Sequence, residues 1–481
     1  MASYLTMPPD LAAPNLATQP GAVTPREACF APVVVLGGLL VLDAAIGLGV
    51  PLLTFVVRAG AAPPEVVRHL LALTVSLALG GIGIGGGYSP RLLRNRLAQM
   101  RACIAGAGAA IAIVAVAARI LDNSGAIAWD WALPAALLGL LGLLAGRAAA
   151  GAVLAGEPGR RFGLRTVVVG SGPQGTGLMR SLRLSPHPDI RLLGYVDDRR
   201  ARATTDADSA PCLGSVTELF ALIRGGGVDQ VIVALPWSAE DRVLDLIRRL
   251  AEWPVHIWLA PDLPGTGGIH LMHILAPPLA GWPSLVKRIE DIVVATLALI
   301  VFALPMALIA LAIRIDSPGP VLFRQYRTGF NNRDFRMLKF RTIHHHLADH
   351  AARTQVTRHD PRVTRLGAVL RRTSLDELPQ IFNVLRGEMS FVGPRPHAPG
   401  THAGGRPFDQ VVAHYAARHR VRPGMTGLAQ VRGLRGETET EDKLVRRIDS
   451  DLEYIENWSL WLDLVVLART AATVLGMRNA Y

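Results

Sequence analysis

Four long apolar stretches occupy the first third of this 481-residue chain, at approximately 31–57, 69–87, 102–121 and 131–153. Each is close to the ~20 residues that an α-helix needs to cross the hydrocarbon of a bilayer. Only 18% of all residues are charged, whereas a water-soluble domain carries about a quarter. The sequence therefore predicts a membrane protein whose residues 28–155 form four transmembrane helices.

Basic residues indicate how these helices are oriented. The connection between the second and third stretches carries four arginines within residues 91–101, whereas the next connection carries Asp122 and Asp130 and no Lys or Arg. Lys and Arg accumulate in cytoplasmic loops. We therefore expect the N-terminus and everything after residue 153 on the cytoplasmic side.

Residues 1–27 are rich in Pro, Ala and Thr and lack the basic start of a signal peptide, so we interpret them as a disordered tail. Asp43, inside the first stretch, marks either a functional polar site or a carboxylate packed against neighbouring helices. The three cysteines, Cys29, Cys103 and Cys212, have no paired or metal-type spacing. Such sparse cysteines favour a reducing compartment for the soluble parts.

After residue 160 short apolar runs alternate with helical segments, a pattern that predicts a Rossmann-like parallel-sheet domain over 160–263. A Gly-x-Gly-x-x-Gly run ends the first strand, and an acidic residue closes the next strand, as in dinucleotide-binding folds. A weak nucleotide site is therefore expected, with a scaffold that binds nothing as the alternative. The residues concerned are Gly170, Gly172, Gly175 and Asp197. Residues 264–284, rich in Pro and Gly, are predicted to be a linker.

A fifth apolar stretch, Ile289–Ile313, opens the last segment, 285–481, and contains Pro305 near its middle. Proline removes a backbone hydrogen bond and kinks a helix. Both flanks are basic, so we expect a re-entrant hairpin that returns to the cytoplasmic side; a simple fifth span is the alternative.

Residues 324–372 contain twelve Lys or Arg and three Asp, a local net charge of +9 out of +12 for the whole chain. A basic patch beside a membrane helix suits anionic head groups, a lipid phosphate or a pyrophosphate donor. Nucleic acid is disfavoured because no nucleic-acid-binding motif accompanies the charge.

Directly after the patch come two adjacent carboxylates, Asp376 and Glu377. Neighbouring side chains on a helix point about 100° apart, so one carboxylate can attack while the other holds a metal. Mg²⁺ is the expected metal because it prefers hard oxygen ligands and substrate phosphates.

Three ordered runs are similar to the bacterial sugar transferases, the polyprenyl-phosphate hexose-1-phosphate transferases. The runs are FRQYRTGFNNRDFRMLKFRT (323–342), DPRVTRLGAVLRRTSLDELPQIFNVLRGEMSFVGPRP (360–396) and RVRPGMTGLAQV (420–431). The N-terminal helices and the central domain resemble the long form of this family. The ending resembles its glucose subgroup, the undecaprenyl-phosphate glucose phosphotransferases.

The resemblance implies that Asp376 is a nucleophile and Glu377 a Mg²⁺ ligand. Asp376 would attack a UDP-hexose, release UMP and pass the phosphosugar to undecaprenyl phosphate, which starts a lipid-linked exopolysaccharide at the bacterial inner membrane with the catalytic domain on the cytoplasmic face. Arg395, Lys339 and Arg341 match basic motif positions expected to bind substrate phosphates. Pro305 matches the break of the re-entrant helix, a structural role, and an oligomer is possible.

Two rival functions are an NAD-dependent sugar-nucleotide epimerase or dehydratase, and a non-catalytic membrane scaffold. The first would need a catalytic Tyr and Lys, yet residues 176–260 contain one Tyr, Tyr195, and no Lys. The histidines at 344–346, with His350, have a spacing that could hold a transition metal, although they fall in a polar loop. The segment Ile455–Leu475, with Trp458 and Trp461, is predicted to lie in the membrane interface or in a buried core.

Overall fold

The computed structural model describes most of the chain in ranges separated by gaps. These ranges are 32–60, 62–89, 95–121, 129–155, 163–184, 190–199, 210–261, 271–347, 360–398, 401–403, 405–412, 414–434 and 440–475. The predicted tail at 1–27, part of the predicted linker and His350 lie outside them. The chain forms two compact units, of which the first comprises 1–166 with 177–194 and 206–211, and the second the remainder.

Four long helices form where the four apolar stretches were predicted. They are α1 Pro32–Ala59, α2 Glu65–Ile84, α3 Arg96–Leu121 and α4 Trp129–Ala155. Each is long and apolar enough to cross a membrane. Small residues allow close approach between α2 and α3, since a Cβ on Gly81 would lie 2.8 Å from the Cα of Gly106.

Asp43 on α1 is fully buried in this bundle. Its carboxylate accepts hydrogen bonds from Arg147 on α4, at 2.5 Å from Nη2, and from the hydroxyl of Tyr88 at 2.7 Å. Arg147 also donates to Gln99 on α3 and to the carbonyl of Gly87. Because a buried charge must be paired, Asp43 is a packed carboxylate that ties helices together, the second of the two readings that the sequence allowed.

A six-stranded sheet follows, and its strand order is β3-β2-β1-β4-β5-β6. The strands are β1 Leu164–Val169, β2 Ile190–Val196, β3 Cys212–Gly214, β4 Gln230–Val233, β5 His256–Leu259 and β6 Met272–Leu275. The helices are α5 Pro173–Leu184, α6 Val216–Arg224 and α7 Glu240–Leu250. β4 pairs with β5 in parallel and β6 is antiparallel, so the expected Rossmann-like sheet is present with an antiparallel edge strand.

The glycine run closes the turn from β1 into α5. Gly170 has φ of +107°, and a Cβ on Gly175 would lie 1.9 Å from the carbonyl oxygen of Gly170. Only glycine permits this positive φ and this close approach. Asp197 accepts hydrogen bonds from the amide and hydroxyl of Ser171, at 2.8 and 2.6 Å. Asp197 therefore holds the turn, whereas Gly172 faces open space; nucleotide binding by this run stays a prediction.

The fifth apolar stretch forms one helix, α8 Trp282–Asp316, which continues through Pro305. The structure assigns no break in the helix at Pro305, and the re-entrant topology stays a prediction. Packing offsets the lost backbone hydrogen bond, because the helix lies against the following segment on both sides of the proline: Ala295 packs with Met337 and Ile381, and Met306 packs with Phe340 and Leu370.

The last segment, 285–481, is mainly helical where the structure describes it, and it also contains short strands. Its strands are β7 Leu322–Thr328, β8 Asp334–Phe340, β9 Ser390–Val392, β10 His402–Ala403, β11 Arg406–Pro407 and β12 Gly424–Thr426. Its helices are α9 Arg365–Arg372, α10 Gln380–Arg386, α11 Phe408–Val411, α12 Leu428–Val431, α13 Glu441–Glu456 and α14 Leu460–Leu475. Two 3₁₀ segments, Leu375–Glu377 and Tyr415–Arg420, complete the part that forms the site described next.

The C-terminal helix α14 has two different faces. Val466 and Asp463 are fully buried, and Asp463 accepts a hydrogen bond from the indole of Trp458 at 2.9 Å. Trp461, in contrast, is 73% exposed. The segment predicted as interfacial or buried therefore combines a packed face with an exposed aromatic face.

Candidate active site

The hairpin of β7 and β8 supplies one wall of the site. Its antiparallel register pairs Phe323 with Lys339 and Arg327 with Phe335. Directly opposed residues of an antiparallel pair point to the same face, and side chains alternate along each strand. Lys339 and Arg327 therefore share one face of the hairpin.

The two adjacent carboxylates lie in the 3₁₀ segment between α9 and α10, and not on an α-helix as the sequence reasoning assumed. Ser374, directly before it, has φ of +58°, a left-handed conformation that is uncommon for a residue other than glycine. Leu375 and Leu378 pack against the cluster around α8. These contacts fix the turn and leave Asp376 only 8% exposed.

Glu377 is the centre of a set of close ionic contacts. Its Oε1 accepts hydrogen bonds from Lys339 Nζ at 2.9 Å and from Arg395 Nη2 at 2.5 Å, while Oε2 accepts from Arg395 Nη1 at 3.2 Å. Lys339 Nζ also lies 3.9 Å from Asp376 Oδ2. The structure thus brings together four of the predicted site residues: Asp376, Glu377, Lys339 and Arg395.

The two carboxyl groups differ in their acidity. Burial raises the pKa of Asp376 to about 6; Lys339 opposes this rise and the Glu377 charge adds to it. Burial would also raise the pKa of Glu377, but the positive charges of Arg395 and Lys339 outweigh it and hold that pKa well below its usual range. The buried Asp376, whose charge is less fully compensated, suits the role of a nucleophile. The ionised Glu377 beside it suits the role of a metal ligand.

A buried network holds Arg395 from behind. Arg418, 1% exposed, donates from Nη2 to the carbonyl of Arg395 at 2.6 Å and to Asp451 Oδ2 at 2.7 Å. Its Nη1 lies 2.7 Å from His397 Nδ1, which also contacts the hydroxyl of Tyr415 at 2.8 Å. Because a guanidinium only donates, His397 Nδ1 accepts this bond. Sequence reasoning missed these residues because no local pattern connects positions so far apart.

Arg341 has different partners from the other predicted site residues. Its guanidinium donates to the carbonyls of Ser317 at 2.6 Å, Pro318 at 2.9 Å and Ile313 at 3.3 Å. These carbonyls lie at and after the last turn of α8, where backbone acceptors have no partner within the helix. Arg341 therefore caps α8, and its predicted contact with phosphate stays a prediction.

The donor set of the site fits Mg²⁺ in chemical kind. Mg²⁺ is usually bound by one or two carboxylates together with substrate phosphates, and Asp376 and Glu377 offer carboxylate oxygens side by side. The weaker of the Glu377 contacts, 3.2 Å at Oε2, is the one a metal would most easily share. Within the described ranges no three or more His, Cys, Asp or Glu side chains lie close enough together to hold a metal ion. The histidines at 344–346 therefore form no such group with other described residues.

Two family models match the chain. One, described as bacterial sugar transferase, matches residues 282–477, and the other, described as CoA-binding domain, matches residues 84–261. The first covers all the residues of the site, and the second covers the sheet from β1 to β5.

Several curated proteins are similar to the chain. An undecaprenyl-phosphate glucose phosphotransferase of Komagataeibacter xylinus is 41% identical over 333 residues, which cover 67% of this chain and 61% of that protein. A UDP-glucose:undecaprenyl-phosphate glucose-1-phosphate transferase of Xanthomonas campestris pv. campestris is 38% identical over 335 residues, which cover 66% of this chain and 68% of that protein. An exopolysaccharide production protein of Rhizobium leguminosarum bv. phaseoli is 49% identical over 189 residues, which cover 39% of this chain and 94% of that protein. The chain thus spans 61% of the first and 68% of the second of these relatives.

Proposed function

The chain belongs to the bacterial sugar transferase family, and on that basis we propose that it transfers glucose-1-phosphate from UDP-glucose to undecaprenyl phosphate and releases UMP. The observation that carries the proposal is the setting of Asp376, a buried carboxylate 3.9 Å from Lys339 and adjacent to a glutamate held by Arg395. Glucose is proposed as the sugar because two of the similar proteins bear that activity in their names.

The reaction proceeds in two displacements at phosphorus. An oxygen of Asp376 attacks the sugar-bearing phosphorus of the donor, and the bond from that phosphorus to UMP breaks. The phosphate oxygen of undecaprenyl phosphate then attacks the same phosphorus, and the bond to Asp376 breaks. Asp376 is regenerated, and the product is a lipid diphosphate sugar whose anomeric bond was never broken.

The residues around Asp376 stabilise charge in these steps. Lys339 and Arg395, both beside the dyad, would neutralise the negative charge of the transferring phosphoryl group, and such preorganised cations lower the barrier. Glu377, kept ionised by the same two residues, would hold Mg²⁺. When bound, the metal supplies further neutralisation of the phosphoryl oxygens.

We also propose that α8 enters the membrane from the cytoplasmic side without crossing it. α8 contacts the last segment towards both of its ends, through Asp291, which accepts a hydrogen bond from Ser390 at 2.7 Å, and through Ile313, which packs with Phe340 and Leu370. Both ends therefore accompany the same folded domain. The face opposite these contacts is apolar and exposed. It includes Leu297, Ile300, Val301, Leu304, Leu308 and Leu311.

This topology is testable with single cysteines. Asn457→Cys, an exposed position after α8, in a Cys212→Ser background should not react with a membrane-impermeant maleimide in intact cells. Ser124→Cys, between the third and fourth helices in sequence, should react. Labelling at 457 in intact cells would contradict the proposal.

The nicotinamide-dependent alternative receives no support from the central sheet. Tyr195, the one Tyr within residues 176–260, is 3% exposed on β2 and is part of the core. A buried core tyrosine cannot reach a substrate.

Donor choice tests the proposed function. Purified protein in nanodiscs with undecaprenyl phosphate and Mg²⁺ should release UMP from UDP-glucose, with weaker release from UDP-galactose because one epimeric hydroxyl is discriminated by the hydrogen bonds it makes. A clear preference for another sugar nucleotide would contradict glucose as the sugar, and absence of UMP release with every donor would contradict the proposed reaction. The proposed biological role is to start a lipid-linked exopolysaccharide.

A further inference from the structure

We propose that Arg327 forms a phosphate-monoester subsite that is used twice, first by the departing UMP and then by the incoming lipid phosphate. The inference rests on the proposed function, which supplies the two phosphates. Arg327 lies in the first of the three motif runs, 323–342, but the sequence pattern assigned it no separate role.

The hairpin places Arg327 on the face that Lys339 also occupies. From Phe323, the partner of Lys339, to Arg327 is four residues along β7, or about 13 Å at 3.3 Å per residue. Lys339 is next to Asp376, so Arg327 lies farther from the nucleophile on the same wall. In an in-line displacement the leaving oxygen departs on the side opposite the attacking one, which directs a leaving phosphate away from Asp376.

The contacts of Arg327 leave its charge unbalanced. Its Nη2 donates to the neutral amide oxygen of Gln325 at 2.5 Å, and its buried Nε has no hydrogen-bond partner. Within the described part of the chain, no carboxylate lies within ion-pair distance of Arg327. A buried charge in this state needs an anion that the protein itself does not provide.

Electrostatics place this charge beside the active site. Burial and repulsion from the Arg395 guanidinium lower the pKa of Arg327 to about 10, against the attraction of Glu377. Burial and the same repulsion from Arg395 also lower the pKa of Arg447 to about 10. Arg327 and Arg447 stay protonated at neutral pH, so positive charge accumulates around the Arg395 guanidinium, and an anion bound there would relieve the repulsion.

The chemistry of the ligand follows from the fork of the side chain. A guanidinium offers parallel N–H donors that match two phosphate oxygens, and a phosphate monoester carries enough charge to balance two neighbouring arginines. In the second displacement the acceptor must attack the phosphorus from the side that UMP vacated, because Asp376 occupies the other side. The lipid phosphate therefore enters the position that the UMP phosphate has left.

Three variants of the full-length protein in nanodiscs test the subsite. Arg327→Gln removes the charge, Arg327→Lys keeps the charge without the fork, and Arg336→Gln makes the same charge change on the exposed face of the hairpin, where Arg336 contacts Tyr326. UMP binding is measured by titration calorimetry, with uridine as a probe that lacks phosphate. Transfer to undecaprenyl phosphate is measured from the isolated phosphosugar intermediate.

We expect Arg327→Gln to weaken UMP binding and to raise the acceptor KM by about tenfold to a hundredfold, the usual effect of losing a charge-assisted hydrogen bond. Uridine binding should not change, Arg327→Lys should be intermediate, and Arg336→Gln should stay within twofold of wild type. Ligand-free Arg327→Gln should unfold at or above the wild-type temperature because a repelled charge is gone; a purely structural arginine would give a lower one.

Wild-type UMP affinity in Arg327→Gln, or an equal loss for UMP and uridine, would overturn the subsite. Weaker UMP binding in Arg327→Gln with an unchanged acceptor KM would overturn the proposed use of the subsite by the lipid phosphate. These failures differ from failure of the proposed function, in which the wild-type protein itself would neither bind UMP nor release it from UDP-glucose, and which would overturn the subsite as well.

Discussion

The guanidinium of Arg395 donates two hydrogen bonds to the carboxylate of Glu377, from Nη2 to Oε1 at 2.5 Å and from Nη1 to Oε2 at 3.2 Å. This ion pair keeps Glu377 ionised at all working pH values. Asp376, one residue earlier, has a looser ion pair: Lys339 Nζ lies 3.9 Å from its Oδ2. Two adjacent carboxylates are thus assigned different tasks by their surroundings.

The first prediction is that donor turnover falls as the pH drops through about 6. Only ionised Asp376 attacks, and its pKa is raised to about 6, so protonation below that value removes the nucleophile. The effect on stability has the opposite sign. Because the folded protein binds this proton more tightly than the unfolded chain, Asp376 stabilises the fold at low pH, and this contribution is lost as the pH rises through about 6. The profile of kcat/KM for UDP-glucose checks the prediction.

Lys339→Met is the matched test of the cause. Removing the cation that opposes the rise should move the acidic limb of the profile to higher pH, while Arg336→Gln should leave it in place. If the acidic limb of the wild-type profile lay near pH 4, the ordinary range of an aspartate, the raised pKa of Asp376 would be contradicted.

The second prediction separates the dyad. Asp376→Asn should abolish turnover at any Mg²⁺ concentration, because an amide does not form the acyl phosphate. Glu377→Gln should be severely impaired, and higher Mg²⁺ should restore part of its activity because the defect is in metal affinity. Activity is measured as UMP release over a range of Mg²⁺ concentrations; equal rescue of both variants would refute the division of roles.

The third prediction concerns Arg341. Arg341→Gln should lower the free energy of unfolding by about 2 to 3 kcal/mol, because it removes charged hydrogen bonds to buried carbonyls. Arg395→Gln should lower turnover by at least tenfold. Thermal unfolding and UMP release are measured on both. Loss of donor binding without loss of stability in Arg341→Gln would favour phosphate contact over capping.

The fourth prediction tests the network behind Arg395. Asp451→Asn leaves the Arg418 guanidinium buried without its carboxylate and should cost about 3 to 5 kcal/mol, whereas replacing both, as Arg418→Met with Asp451→Leu, should cost less. Both variants should lower kcat. The double variant removes the hydrogen bond that Arg418 donates to the carbonyl of Arg395, and the single variant removes the carboxylate that holds Arg418 in position to donate it. Equal stability of the single and double variants would contradict a paired buried charge.

The sequence predicted much of this architecture because long patterns encode it. The four apolar stretches became α1 to α4, and the glycine run fell at the turn from β1 into α5. The dyad with Lys339 and Arg395 assembled as expected, since ordered motifs carried all four residues.

The remainder depended on contacts distant in sequence. Asp43 meets Arg147, 104 positions later, and Arg418 meets Asp451 across 33 positions; no local period reports either pair. Arg341 looked equivalent to Lys339 in the same basic run, but β8 ends at Phe340, so the strand alternation does not extend to it. Pro305 predicted a break, and packing on both sides of it kept α8 continuous.

The covalent role of Asp376 is the central claim, and single-turnover labelling tests it most directly. Wild-type protein in Mg²⁺ with UDP-glucose labelled in the sugar, and without lipid acceptor, should release about one UMP per active site and carry the label on Asp376, located by mass spectrometry. Asp376→Asn should show neither. A wild-type protein that binds donor and turns over fully once undecaprenyl phosphate is added, yet gives no label and no burst, would show that the lipid phosphate attacks directly and that Asp376 is not the nucleophile.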